Sequence, residues 1–561
     1  MIIKDINLID ENLVQDWIMS FLLSNKNNFK YRNPNQIALE LKKANGNWYS
    51  KTYQEIFDES IKLSLYFKQL GIEKGDRIVI FHESGPEWAS VFIATLRCGA
   101  ILVPLDIKST SFEIEKIIND CQPKFVLSSS EAKENFINFK TVEQIIDLDN
   151  NALLEEIKPE DITDITNINI NINIKDTVLI IYTSGTTGNS KGVMISLGNL
   201  IFQIKIIRDF TDFRDSIFLS ILPLNHLFEF VCGFLAPLIY GVKVCYIKSL
   251  SPKEILKAMQ EKKITHMIVV PMFLKVLKIA IQKEIKNLNF FKQLLLNLLF
   301  SFSSLIKFKI IRKILFTSIH EKFGGEMRGF ICGGAPLNIE ISKFFELIGI
   351  PIYEGYGLSE ASPIVSFNSD KYYSLSSVGK PLRGSEIKIT EQGEICVKGP
   401  HIMNGYYKRP DLTAEIIDSE GWLHTGDIGY INEKGFLYIT GRIKNLIVLA
   451  GGKKVQPEEV EEVLSKIESI KEICILGIKE RDTEEVWAIA SPQDELVEKY
   501  KDNLNKLEEL ISGQIKDQNY CLAPYKRPLK IIIKNIDFPK THTRKIKRNE
   551  LKSYLLKEIK I

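Results

Sequence analysis

Short runs of β-branched and aliphatic residues recur along the chain, bounded by turn-forming residues: Lys124–Ser129, Thr177–Tyr182, Ser216–Leu222, Val242–Ile247, Thr265–Val270 and Met327–Ile331. Such runs predict buried strands. Helical patterns lie between them, as in Pro252–Lys262, where Ile255, Leu256, Ala258 and Met259 fall on one face. Strands alternating with helices predict layered α/β architecture. The stretch Ile165–Ile174 alternates strictly, but its low complexity and its place just before a strand favour a linker.

From Glu386 the pattern changes. EIKIT, GEICVKG and GFLYITGR read as short strands joined by Gly-bearing turns, with no helix between them. After Arg442 a small mixed unit follows, with a helix expected at Pro457–Ile467, a strand at Glu472–Ile478 and a helix near Glu495–Ile511. The expected organisation is an α/β chain with a large N-terminal domain over 1–441, made of layered sub-domains and a small β-rich part. A hinge at 442–446 and a small mobile α+β C-terminal domain over 447–561 complete it.

Composition narrows the class. The 561 residues are 45% hydrophobic and 25% charged, ordinary values for a globular protein of several sub-domains. Lys+Arg at 73 against Asp+Glu at 70 leave a net charge of +3, which gives no electrostatic reason to expect nucleic acid as a partner. The eight cysteines include no C-x-x-C pair, and no Cys/His cluster suggests zinc. They read as small apolar residues of a reducing compartment. The first residues lack a secretory h-region. The longest charge-free apolar stretch near the middle, Gln293–Ile306, has 14 residues, short of the roughly 20 that span a bilayer. The expectation is a cytoplasmic protein.

The strongest chemical signal is TVLIIYTSGTTGNSKG over 177–192. A strand runs into a loop with three glycines, five hydroxyls from Thr183 to Ser190 and one lysine. Glycines admit a close polyphosphate, hydroxyls and N–H groups donate to it, and Lys191 adds positive charge. Lys191 is followed by Gly192, so this is not a Walker A loop.

YTSGTTGNSKG resembles the phosphate loop of the adenylate-forming superfamily, which includes acyl-CoA synthetases, adenylation domains and luciferases. Further signatures follow in the family's order: LPLNHLFE (222–229), GGAPL (333–337), YEGYGLSE (353–360), WLHTGDIG (422–429), GRIKNLIVLAGGKKVQPEEVE (441–461) and PKTHTRKIKR (539–548). The resemblance implies attack of a carboxylate on the α-phosphate of ATP, release of pyrophosphate, and displacement of AMP by a thiol, usually that of coenzyme A. An anionic nucleophile beside an anionic phosphate requires positive charge, here lysine and Mg²⁺.

Carried over residue by residue, the resemblance implies that Thr183, Ser184, Gly185, Thr186, Thr187, Gly188 and Lys191 cradle the phosphates. Gly333, Gly334 and Ala335 line the adenine, Tyr356 stacks on it beside Gly357, and Ser359 bonds the α-phosphate. Glu360 holds Mg²⁺. Asp427 takes the ribose hydroxyls with help from Arg442. Lys545 reaches the α-phosphate during adenylation. Lys444 falls at the hinge about which the small domain turns, and Gly451-Gly452 fall in the loop lining the thiol tunnel. Two departures stand out: Arg544 where the family commonly has Gly before the lysine, and Ser190 where it often has Pro.

LPLNHLFE is closest to the version in long-chain fatty acyl-CoA synthetases, which implies a long-chain fatty acid and places His226 at the acyl pocket mouth. The apolar Phe228–Tyr240 would either line a tunnel or pack as core. Residues 281–330 hold nine basic and three acidic side chains among many Leu, Phe and Ile. A buried helical hairpin with a solvated basic edge is expected there. The other reading is peripheral attachment to the inner face of a membrane. An acyl carrier protein in place of coenzyme A, a homodimer, and a non-catalytic lipid- or nucleotide-binding module are left open.

Overall fold

The apolar runs form strands where the pattern places them. The computed structural model describes residues 33–149, 172–184, 190–210, 213, 215–306, 308–450, 453–480, 483–540 and 546–559. Six expected runs become Phe125–Ser128, Thr177–Ser184, Ile217–Ser220, Lys243–Ile247, His266–Val269 and Gly329–Cys332. The Pro252–Lys262 helix forms with Ser251 as its N-cap. Of the expected linker, residues 165–171 lie outside the described residues.

The described chain divides into two compact units, Met1–Glu386 with Lys398–Gly421, and Ile387–Val397 with Trp422–Ile561. This division falls earlier than the expected hinge at 442–446. The four-stranded sheet Glu386–Ile389, Glu394–Lys398, Leu423–Ile431 and Leu437–Arg442 clusters almost wholly with the C-terminal residues. Close packing explains it: a Cβ on Gly441 would sit 2.1 Å from Oε1 of Gln456, just before the helix Pro457–Leu464.

The first unit holds two large sheets. One runs in the order Gly405–Tyr406, Ser190–Ser196, Thr177–Ser184, Ile101–Pro104, Arg77–Phe81, Phe125–Ser128, Gln144–Asp147. The other contains four adjacent parallel strands, Ile352–Gly357, Gly329–Cys332, His266–Val269 and Ile217–Ser220. Parallel strands bring the loops at their C-terminal ends to one edge, where ligands of α/β sheets bind. Three family signatures leave that edge: 222–229, 333–337 and 353–360.

The second unit adds the sheet Ile470–Glu480, Thr483–Pro492, Lys530–Ile533. The single helix expected near Glu495–Ile511 is two, Asp494–Lys499 and Leu504–Gln518. Asn503 causes the break: its side chain accepts from Lys506 N–H at 3.1 Å and starts the second helix.

Candidate active site

The phosphate segment enters as a hairpin arm. Thr183 pairs with Lys191 and Ser184 with Ser190 across antiparallel strands. Gly185, Thr186, Thr187 and Gly188 lie outside the described residues. Gly192 is required by packing, since a Cβ there would come within 2.8 Å of Ile180 and 3.2 Å of the Tyr182 ring.

The Lys191 ammonium lies 4.9 Å from the centre of the Tyr406 ring. The hydroxyl of Tyr406 in turn donates to Glu360 Oε1 at 2.7 Å. One aromatic side chain thus links the phosphate-loop lysine to the expected metal carboxylate. Glu360 is the middle residue of a single 3₁₀ turn, Ser359–Ala361. Its backbone carbonyl accepts from Met403 N–H at 3.0 Å. Glu360 is half-buried and forms no ion pair among the described residues. Its charge is held by a neutral donor, and the hard carboxylate oxygen suits Mg²⁺.

The helix Leu197–Ile207 fixes this arrangement from below. Ser196 and Asn199 form a reciprocal cap: Asn199 N–H donates to Ser196 Oγ at 3.1 Å and Ser196 N–H to Asn199 Oδ1 at 2.8 Å. The Asn199 amide then donates to the carbonyls of Pro400 and Ile402, at 2.7 and 2.9 Å. One turn on, buried Gln203 donates to the carbonyls of Ala361 and Ile364, both at 2.9 Å. The i, i+4 pair therefore ties down the Glu360 turn and the loop leading to Tyr406. Neither these two residues nor Tyr406 was anticipated; two amides four apart on an apolar helix were the available signal.

Gly333 packs against the Phe228 ring, 3.2 Å from where its Cβ would stand, so the 222–229 and 333–337 signatures meet. Gly334 has φ +84°, a conformation that favours glycine. Gly357 cannot carry a side chain, because a Cβ would fall 1.8 Å from the Pro363 carbonyl oxygen. Tyr356 and Ser359 are half-buried beside it, as is Ala335. Cys332, next to this loop, is 2% exposed and burial pushes its thiol well up, so it packs as a small core residue.

His226 is half-buried on the loop after Ile217–Ser220, and its carbonyl accepts from Phe230 N–H at 2.9 Å. The segment Phe230–Ile239 is buried in the main core, with Phe230 edge-on to Phe92 at 5.1 Å. Glu229 opens its π-helical turn with no exposed surface. It accepts from Ser220 Oγ at 2.5 Å, and burial pushes its carboxyl up to about 8.

In the second unit, Asp427 and Arg442 are register partners. Arg442 Nε donates to Asp427 Oδ1 at 2.5 Å, and Asp427 is 4% exposed. Lys444 lies in the 3₁₀ turn Ile443–Asn445, and the Asn445 amide donates to Glu458 at 2.6 Å. Gly451, Gly452 and Lys545 lie outside the described residues. The segment carrying Lys545 has a defined base: Lys540 bridges Ile546, and Lys547 N–H donates to the Pro539 carbonyl at 2.7 Å. Beyond it Arg548 is held by Glu461, with Nη2 donating at 2.7 Å.

With this geometry in view, the chain belongs to the AMP-binding enzyme family, which matches residues 27–407. A long-chain-fatty-acid–CoA ligase of Mycobacterium bovis is 28% identical over 466 residues, 77% of this chain and 76% of that protein. A 2-succinylbenzoate–CoA ligase of Oceanobacillus iheyensis is 28% identical over 513 residues, 90% of this chain and 94% of that protein. The O-succinylbenzoate coenzyme A synthetase of Bacillus subtilis, solved with ATP and a magnesium ion, has a TM-score of 0.73 at 25% identity and matches 96% of this chain and 99% of its own. The α/β class and the family resemblance read from the sequence both hold. The class is that of adenylate-forming CoA ligases, which take ATP, Mg²⁺ and coenzyme A.

Proposed function

We propose that the acid this ligase activates is a long-chain fatty acid, joined first to AMP and then to coenzyme A. The observation that carries the reading is an exposed apolar surface on the helices Phe290–Leu305 and Lys309–Leu315. Phe291 is 78% exposed, Leu305 79% and Ile310 74%. The expected buried hairpin is corrected here: only Ser303 of the first helix is buried. Lys283, Lys286 and Lys292 are exposed in and beside it. An apolar face rimmed with lysines suits an anionic lipid surface, where long-chain acids partition. Among the described residues no helix is long and apolar enough to cross a membrane.

Relatives named long-chain-fatty-acid–CoA ligases support the same substrate. An amino acid is disfavoured, because Glu229, the acidic residue nearest His226 in the signature, is buried and held neutral near pH 7. In this reading Thr183, Ser184, Gly185, Thr186, Thr187, Gly188 and Lys191 neutralise the phosphates, and Glu360 holds Mg²⁺, which offsets phosphate charge when bound. Gly333 to Ala335, Tyr356, Gly357 and Ser359 hold adenine and α-phosphate, and Asp427 with Arg442 the ribose. His226 stands at the acyl entrance. Lys545 serves adenylation, Lys444 the hinge, and Gly451-Gly452 the thiol step.

The test is pyrophosphate release with ATP and Mg²⁺ across short, long and aromatic acids, including 2-succinylbenzoate, with and without coenzyme A. Sustained release needing both a long-chain acid and coenzyme A is expected. Preference for an aromatic acid would overturn the substrate, and a burst indifferent to coenzyme A would point to a carrier-protein thiol.

A further inference from the structure

In the second unit, strand register brings His424 to Glu394 and Cys396, which lie 30 and 28 residues before it in sequence. Glu394 and Cys396 sit two apart on one strand and so share a face. Cys396 is the register partner of His424 on the next strand. Cys396 Sγ lies 3.5 Å from His424 Nδ1, and Glu394 Oε2 lies 2.9 Å from the same nitrogen. All three ligand atoms fall within 4.8 Å of one another.

We propose that Glu394, Cys396 and His424 form a zinc-type transition-metal site with a fourth position open to water. Zn–N and Zn–S bonds at tetrahedral angles place the two ligand atoms about 3.5 Å apart. The observed Nδ1–Sγ separation already meets that spacing, and the carboxylate oxygen, 2.9 Å from Nδ1, would withdraw from that nitrogen by about half an ångström. The thiolate, imidazole and carboxylate set selects a borderline-soft ion over Mg²⁺. Cys396 is fully buried, whereas the His424 side chain is 36% exposed, which leaves a route for the ion and room for the water. The outer shell is present: Glu394 Oε1 accepts from Gly426 N–H at 3.1 Å, so that oxygen fixes the carboxylate while Oε2 binds. Binding replaces the Cys396 thiol proton, and neutral His424 gives its Nδ1 lone pair to the ion with its proton on Nε2. One proton is released per ion, and no redox change occurs.

The experiment is titration of the full-length, chelator-treated protein with Co²⁺ alone. One equivalent should give a thiolate-to-cobalt absorption band with the visible bands of four-coordinate cobalt, and Zn²⁺ should bleach both. Cys396→Ser should abolish the charge-transfer band. His424→Gln, at a partly exposed position, should weaken Co²⁺ binding at least tenfold while leaving thermal unfolding of the metal-free protein unchanged. Absence of the band in the natural protein would overturn the site. So would a band that survives Cys396→Ser, or His424→Gln binding with undiminished affinity.

Discussion

The Tyr406 hydroxyl donates to the Glu360 carboxylate at 2.7 Å, across a sequence separation of 46 residues. If Glu360 is the magnesium carboxylate, this bond sets its orientation. A hydrogen bond to a charged group contributes about 1.5–3 kcal/mol. Tyr406→Phe should therefore raise the Mg²⁺ concentration for half-maximal pyrophosphate release roughly tenfold or more. The ring that faces Lys191 is retained in this variant, so ATP saturation at high Mg²⁺ should change little. An unaltered Mg²⁺ curve would remove Tyr406 from the site.

Gln203 supports the same turn from the helix below. Gln203→Leu keeps the volume but leaves the Ala361 and Ile364 carbonyls without their donor. Each buried orphan costs about 1–3 kcal/mol. Urea unfolding should show a loss on that scale, and the Mg²⁺ requirement should rise as it does in Tyr406→Phe. A destabilised variant with a normal Mg²⁺ requirement would make Gln203 a packing residue only.

These two residues mark what the sequence could reveal. Strands such as His266–Val269 were legible because burial writes itself as an apolar run. The glycines of 333–334 and the Lys191 loop were legible because a motif fixes residue type by spacing. Gln203 was not, since its partners lie 158 and 161 residues away and only the fold brings them near. The Glu394, Cys396 and His424 trio was hidden for the same reason: 28 residues separate the Cys396 and His424 register partners. The Phe290–Leu305 helix misled in the other direction, because it is apolar on two faces: Leu296, Leu299 and Phe300 pack on the core while Phe291, Leu298 and Leu305 face outward.

Glu229 gives a pH signature. Its folded carboxyl sits at about 8 against an ordinary 4.5, so the fold favours the protonated form. Stability tied to that proton is complete below pH 4.5 and is lost as pH rises toward 8. Glu229→Gln carries no such dependence and can still accept from Ser220. The variant should be similar to the natural protein at pH 5 and more stable at pH 8.5, by on the order of a few kcal/mol. Equal unfolding midpoints at both pH values would show that the carboxyl ionises freely.

Lys545→Ala separates the two half-reactions. If this lysine meets the α-phosphate, its loss should slow adenylation by about 10²–10³-fold, the size seen when one transition-state donor is removed. Thioester formation from supplied acyl-adenylate should be spared. Equal damage to both steps would assign Lys545 a structural part in the segment that the Lys540–Ile546 bridge closes.

The outward apolar face yields the last prediction. Phe291 and Leu298 are 78% and 60% exposed on one helix. Replacing both with Glu puts charge where lipid contact is proposed and disturbs no buried packing. The natural protein should sediment with anionic vesicles at low salt, and less so as salt screens its lysines. Phe291→Glu with Leu298→Glu should abolish sedimentation while activity on a short, soluble acid is kept. If the natural protein stays in the supernatant at low salt, the face does not dock on lipid. The long-chain reading would then rest on the acid-dependence of pyrophosphate release alone.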